Sequence, residues 1–125
     1  MFGPVNGTFR RLRIGLVGMA ALALVLAETL GAATPRLKVQ PGSVARGGTV
    51  SVSGTGCRAG DVVYLISPPF KGNAFVQHSV ATRAHSTGTF SRSVRIRTSV
   101  RPGRYLITAR CGGGNLGVAA RLRVY

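Results

Sequence analysis

Thr49-Val50-Ser51-Val52-Ser53-Gly54-Thr55-Gly56-Cys57-Arg58-Ala59-Gly60-Asp61-Val62-Val63-Tyr64-Leu65-Ile66 holds two strand patterns separated by a turn. Its first five residues alternate hydroxyl and valine. In a strand, successive side chains point to opposite faces, so Val50 and Val52 share one face and the hydroxyls share the other. Gly54 and Gly56 end that run, and Arg58-Ala59-Gly60-Asp61 turns the chain. Val62 to Ile66 is apolar throughout and rich in β-branched and aromatic residues, as expected of a central strand. The period is two, not the 3.6 of a helix.

The same alternation extends outward in both directions. Upstream, Leu37-Lys38-Val39 runs into the turn dipeptide Pro41-Gly42, and Gly47-Gly48 forms a second turn. Downstream, Ser67-Pro68-Pro69-Phe70-Lys71-Gly72-Asn73 is a loop. Ala74 to Ala84 is a weaker strand, or a hairpin arm at the sheet edge. Ser86-Thr87-Gly88 turns again before Phe90 to Arg97, where Phe90, Val94 and Ile96 share a phase. Arg92 falls in that apolar phase and predicts a bulge or an edge position. Pro102-Gly103 precedes Tyr105, Ile107, Ala109 and Cys111 in one phase. Gly112-Gly113-Gly114-Asn115 reads as a flexible loop, and Val118, Ala120, Leu122 and Val124 then face inward. The expectation is an all-β, immunoglobulin-like sandwich of about seven antiparallel strands.

Three segments resemble known domains. Gly48 to Val63 looks like the second-to-third strand segment of bacterial Ig-like domains from secreted and surface proteins, especially of actinobacterial type. Ser86-Thr87-Gly88-Thr89-Phe90 resembles the turn before a later strand in such domains, and Pro102 to Cys111 resembles their penultimate strand. The resemblance spans about residues 36–125. It implies a fold, and not one function, because the fold hosts many. A fainter similarity runs to chromophore-carrying apoproteins of the neocarzinostatin type, which have two disulfides and an acidic character; this chain has two cysteines and is strongly basic.

The first 33 residues differ from the rest. Arg10, Arg11 and Arg13 precede Ile14 to Ala27, a run without charge or proline, and Gly31-Ala32-Ala33 follows. A charged start, a short apolar core and small residues mark a secretory signal peptide. The run is shorter than the roughly 20 residues that a membrane-crossing helix needs. Cleavage after Ala33 is expected, with Ala27 as the alternative site and an uncleaved anchor as the alternative to cleavage. Residues 34–125 are then the mature domain. Of 17 Lys and Arg, the leader removes three; of two acids, it removes Glu28. Fourteen cations then face the one carboxylate of Asp61.

In an Ig-like sandwich, the strands ending at Cys57 and Cys111 lie in facing sheets and run the same way. The two thiols are therefore expected to bridge at one pole, and export supplies a compartment where the bond survives. Two free buried thiols are the alternative.

Catalytic patterns are weak. One carboxylate excludes paired-carboxylate chemistry within one chain. A triad from Asp61 with His78 or His85 lacks a nucleophile elbow. A metal site from the same three residues lacks convincing spacing. Gly112-Gly113-Gly114 has no following Lys-Ser/Thr or helix to make a phosphate cradle. No enzyme activity and no cofactor are expected.

The basic charge is the main functional signal. Arg95 and Arg97 share the outer face of one strand, Arg121 and Arg123 that of another, and those strands belong to opposite sheets. A diffuse positive field over both faces is expected, suited to anionic cell-wall polymer or lipid headgroups rather than sequence-specific nucleic acid. Arg-rich composition also follows from a GC-rich genome alone. Phe70, between Pro68-Pro69 and Lys71, is read as an exposed aromatic contact or a residue folded over the sandwich edge. Tyr105 resembles the tyrosine of a sandwich corner, whose hydroxyl bonds back to the backbone. The expected protein is an exported monomer associated with the cell envelope or a surface partner; the alternative is a small-ligand carrier with a cleft.

Overall fold

Alternation becomes burial along the quoted stretch. Val50 and Val52 are buried while Thr49 and Ser51 are exposed, and Val63 and Leu65 are fully enclosed. The computed structural model describes residues 34–125, so the leader expected at residues 1–33, with its cleavage at Ala33, lies outside the described residues. Eight strands follow in chain order: β1 (Arg36–Gln40), β2 (Ser43–Val44), β3 (Thr49–Thr55), β4 (Val62–Ile66), β5 (Ser79–Arg83), β6 (Phe90–Arg95), β7 (Gly103–Cys111) and β8 (Gly114–Val124). They form a three-stranded sheet, β1-β3-β6, and a five-stranded sheet, β2-β8-β7-β4-β5. Residues 34–125 form an all-β, immunoglobulin-like sandwich.

The eighth strand is β2. After β1 the chain turns at Pro41-Gly42, leaves the smaller sheet and pairs in parallel with the end of β8, Ser43 opposite Arg123 and Val44 opposite Val124. Two residues are too short to carry a visible period, so the sequence gives no strand signal there. The other pairings are antiparallel.

The core lies between the sheets. Val50, Val52, Phe90 and Val94 meet Val63, Leu65, Ile107 and Leu122, all at most 2% exposed. Each contributes roughly 1.5–3 kcal/mol relative to exposure. Gly54 is required by packing: a Cβ there would collide with the Arg36 carbonyl and the Phe90 ring.

Cys57 and Cys111 form a disulfide with Cα atoms 6.0 Å apart. It ties the end of β7 in one sheet to the chain just beyond β3 in the other. Closing a span of 54 residues stabilises by about 4 kcal/mol in the chain-entropy account.

Several loops differ from expectation. Gly112-Gly113 is not a flexible loop but a tight hairpin turn. Both residues have positive φ, 63° and 79°, and Cys111 pairs directly with Gly114. Positive φ at both central residues defines the hairpin turn whose twist matches its strands, and glycine adopts it without steric cost. The last strand therefore begins at Gly114 rather than near Val118. Of the stretch Ala74 to Ala84, Ser79–Arg83 alone is strand, and it lies at the edge of the larger sheet.

Candidate functional site

The site is built on β7 and β8, the two longest strands. Their register sets Arg104 opposite Arg123, Tyr105 opposite Leu122, and Leu106 opposite Arg121. Alternation sends Ile107 and Leu122 into the core. Arg104, Leu106, Arg121 and Arg123 point outward and are exposed. Together with Gly42, Tyr105 and Leu122 they line a cleft of about 420 Å³. Its floor is apolar, with Leu106 left 56% exposed, and its walls carry three guanidinium groups.

Like charges directly opposite on adjacent strands destabilise a sheet. The Arg104–Arg123 pair, with Arg121 two residues away, therefore costs folding energy without an anion. The one carboxylate side chain of residues 34–125 is Asp61. It lines a separate recess at the disulfide, with Cys57, Arg58 and Cys111. Arg104 and Cys111 lie near opposite ends of β7, a run of about 23 Å at 3.3 Å per residue. At 0.15 M salt the Debye length is about 8 Å, so Asp61 does little to offset the arginines.

The other expected contacts have different surroundings. Arg95 is exposed on the smaller sheet, opposite Thr49. Arg97 lies beyond the end of β6 and is half-buried. Its Nε and Nη2 donate to the Pro68 carbonyl at 3.1 and 2.7 Å, and Nη1 donates to Ser99 Oγ. Arg97 therefore braces the Pro68-Pro69 loop instead of standing free beside Arg95. Of the two pairs, Arg95 lies on the smaller sheet and Arg121 with Arg123 on the larger, while Arg97 falls outside the strand face it was expected to share with Arg95. They are not equivalent, because Arg121 and Arg123 gain Arg104 while the Arg97 guanidinium is engaged by the protein itself.

Phe70 corrects the reading of an exposed aromatic contact, because it is 0% exposed. Its amide donates to the Ser67 carbonyl, and its backbone bridges to Ile96. That turn folds the ring into the core, where burial of its large apolar area wins over display. Tyr105 behaves as the corner tyrosine, its hydroxyl donating to the Arg101 carbonyl four residues upstream. Arg92, in the inward phase yet exposed, sits on the edge strand β6 and donates to the Ala81 carbonyl of β5. It closes the seam between the two sheets. Among the described residues no group of three His, Cys, Asp or Glu comes together for a metal, and His78 Nδ1 lies 3.2 Å from the Phe70 carbonyl.

Arg104 and Leu106 were not singled out in the sequence. Their signal is the inward phase of Tyr105-Ile107-Ala109, which leaves residues 104 and 106 facing outward, the same way as 121 and 123 across the hairpin.

No protein-family model matches the chain, and no curated protein matches it in sequence. Among solved structures, macromomycin, a neocarzinostatin-type apoprotein, superposes with a TM-score of 0.54 at 18% identity. That match covers 73% of this chain and 99% of macromomycin. The Yersinia pseudotuberculosis adhesin InvE also gives 0.54, at 20% identity, over 73% of this chain and 26% of the adhesin. Likenesses at these identities speak to the fold alone.

Proposed function

We propose that the protein is an exported, non-enzymatic binding module that holds anionic groups of the cell envelope on the outer face of its five-stranded sheet. The carrying observation is the Arg104–Arg123 pair in register, with Arg121 beside it, around an apolar floor and far from Asp61. Arginine pairs bidentately with phosphate and carboxylate. An anion seated there relieves the repulsion that the empty face carries. Export is supported by the leader pattern of residues 1–33 and by a disulfide that survives in an oxidising compartment. With so basic a domain and no acidic side chain on this face, self-association is opposed, and the protein acts as a monomer.

The test is retention of the exported protein on heparin or teichoic-acid matrices at low salt. Replacing Arg104, Arg121 and Arg123 by Glu is expected to abolish retention, whereas Lys38→Glu with Arg95→Glu weakens it modestly. Equal losses from the two sets would restore a diffuse field in place of a site. No retention of the parent protein at low salt would remove the reading altogether.

A second reading is favoured by a groove of about 690 Å³ between β1 and β8, lined by Leu37, Phe90 and Val118 with Arg36 and Lys38 at its rim. Its size lies within the roughly 300–1,000 Å³ usual for ligand pockets. With the fold likeness to macromomycin, it supports a carrier of a small ligand. A ligand that co-purifies and is displaced by Val118→Trp would favour that reading.

A further inference from the structure

The two outer faces of the sandwich are chemically unlike. That of the three-stranded sheet presents Thr49, Ser51, Ser91 and Ser93 with Arg36, Lys38 and Arg95, and carries none of the large exposed apolar side chains. The large apolar side chains left exposed among the described residues are Phe75, Val76, Leu106 and Tyr125. Leu106 is outward on β7, and Tyr125 continues the outward phase of β8. The Phe75 ring lies on Tyr64, an outward residue of β4, with centroids 4.8 Å apart. Phe75, Leu106 and Tyr125 thus share their face with Arg104, Arg121 and Arg123, and Val76 is exposed next to Phe75.

Phe75 and Val76 lie on the loop between β4 and β5, and that loop is braced from within. Ser79 is fully buried, and its Oγ accepts the amides of Phe75 and Val76 at 2.9 and 3.1 Å and donates to the Val76 carbonyl. The Ala74 amide reaches the Ser79 carbonyl, and the His78 amide reaches that of Gly72. The backbone donors of residues 74–76 are therefore satisfied inside the protein. An exposed loop would ordinarily lean on water for those bonds, and an apolar medium charges heavily for each one lost. This tip can leave water without losing them. Its side chains, meanwhile, remain turned outward, with Phe75 54% exposed.

We propose that this loop is a lipid-insertion tip. Phe75 and Val76 enter the apolar boundary of an anionic bilayer, while Arg104, Arg121 and Arg123 hold its phosphate headgroups. The inference rests on the anion-binding reading above and names the partner of that face. A basic face carrying exposed aromatic and aliphatic groups is the general composition of interfacial binders. A soluble polyanion supplies the charge but no apolar phase for Phe75 and Val76. A second copy of this chain would set arginines against arginines.

The test compares two surfaces, using vesicles of phosphatidylglycerol and phosphatidylcholine in equal parts and a heparin matrix, with the exported protein and its Phe75→Ser/Val76→Ser variant. Vesicle affinity is expected to fall about tenfold or more, with heparin retention and cooperative melting preserved. Because the chain has no Trp, Phe75→Trp reports on the tip alone, and its emission is expected to move to the blue on vesicles. Unchanged vesicle affinity in the double variant, or an unmoved emission in bound protein, would overturn the insertion. Heparin retention without vesicle binding would overturn it in favour of a soluble polymer. Loss of both in the parent protein would bring down the anion reading on which it rests.

Discussion

Phe70 and Arg97 show how a residue's neighbours decide its role. Beside Pro68-Pro69 and Lys71, Phe70 has the surroundings of a displayed aromatic, yet its ring is enclosed. Phe70→Ala is expected to cost about 3–5 kcal/mol by cavity formation, read by chemical denaturation. A folded Phe70→Ala variant that loses binding without losing stability would return the residue to the surface. Arg97 gives two bonds to the Pro68 carbonyl. Arg97→Ala should therefore lower stability while leaving polyanion retention nearly intact, the reverse of Arg121→Ala. The disulfide makes a larger effect. With about 4 kcal/mol at stake, Cys57→Ser should lower Tm by more than about 15 °C in a domain this small. Thiol titration of unfolded, unreduced protein should find no free Cys.

At the scale of elements, strands with strict alternation were legible and irregular ones were not. Val50 and Val52 announce their face by period alone, whereas Val62 to Ile66, apolar throughout, announces a central strand but not which face Val63 and Leu65 take. The loop before β5 does not, because Phe75 and Val76 look like strand residues and are held instead by the Ser79 hydroxyl, a partner that periodicity cannot reveal. The β7–β8 hairpin is more instructive. A turn at Gly112-Gly113 with unbroken pairing would set Arg104 opposite Arg121. The irregularity between Thr108 and Arg110 shifts the register by two, so that Arg104 faces Arg123. A shift of two preserves the face, so the outward clustering was available from phase once the turn was recognised, although the specific pair was not. Gly112→Val with Gly113→Val should destabilise strongly, since both positions have positive φ. A melting curve unchanged by that pair would mean that the turn is not the one described.

For the molecule as a whole, composition proved a partial guide. A formal charge of +15 for the chain says that anions will be attracted, and says nothing about where. The sandwich divides the cations between one face with an apolar floor and another where Arg36, Lys38 and Arg95 stand among hydroxyls. The leader pattern belongs to this scale too: secreted protein is expected to begin at Thr34 on N-terminal sequencing, and material retaining residues 1–33 would make an uncleaved anchor the correct reading. The central claim, that the outer face of the five-stranded sheet is the binding face, is tested most directly by amide chemical-shift mapping of the exported protein with a short heparin oligosaccharide at low salt. Shifts are expected to concentrate at Arg104 to Leu106 and Arg121 to Arg123 and to fade as salt is raised. Shifts spread equally over Ser51, Ser53, Ser91 and Ser93, or centred on Arg95, would contradict it.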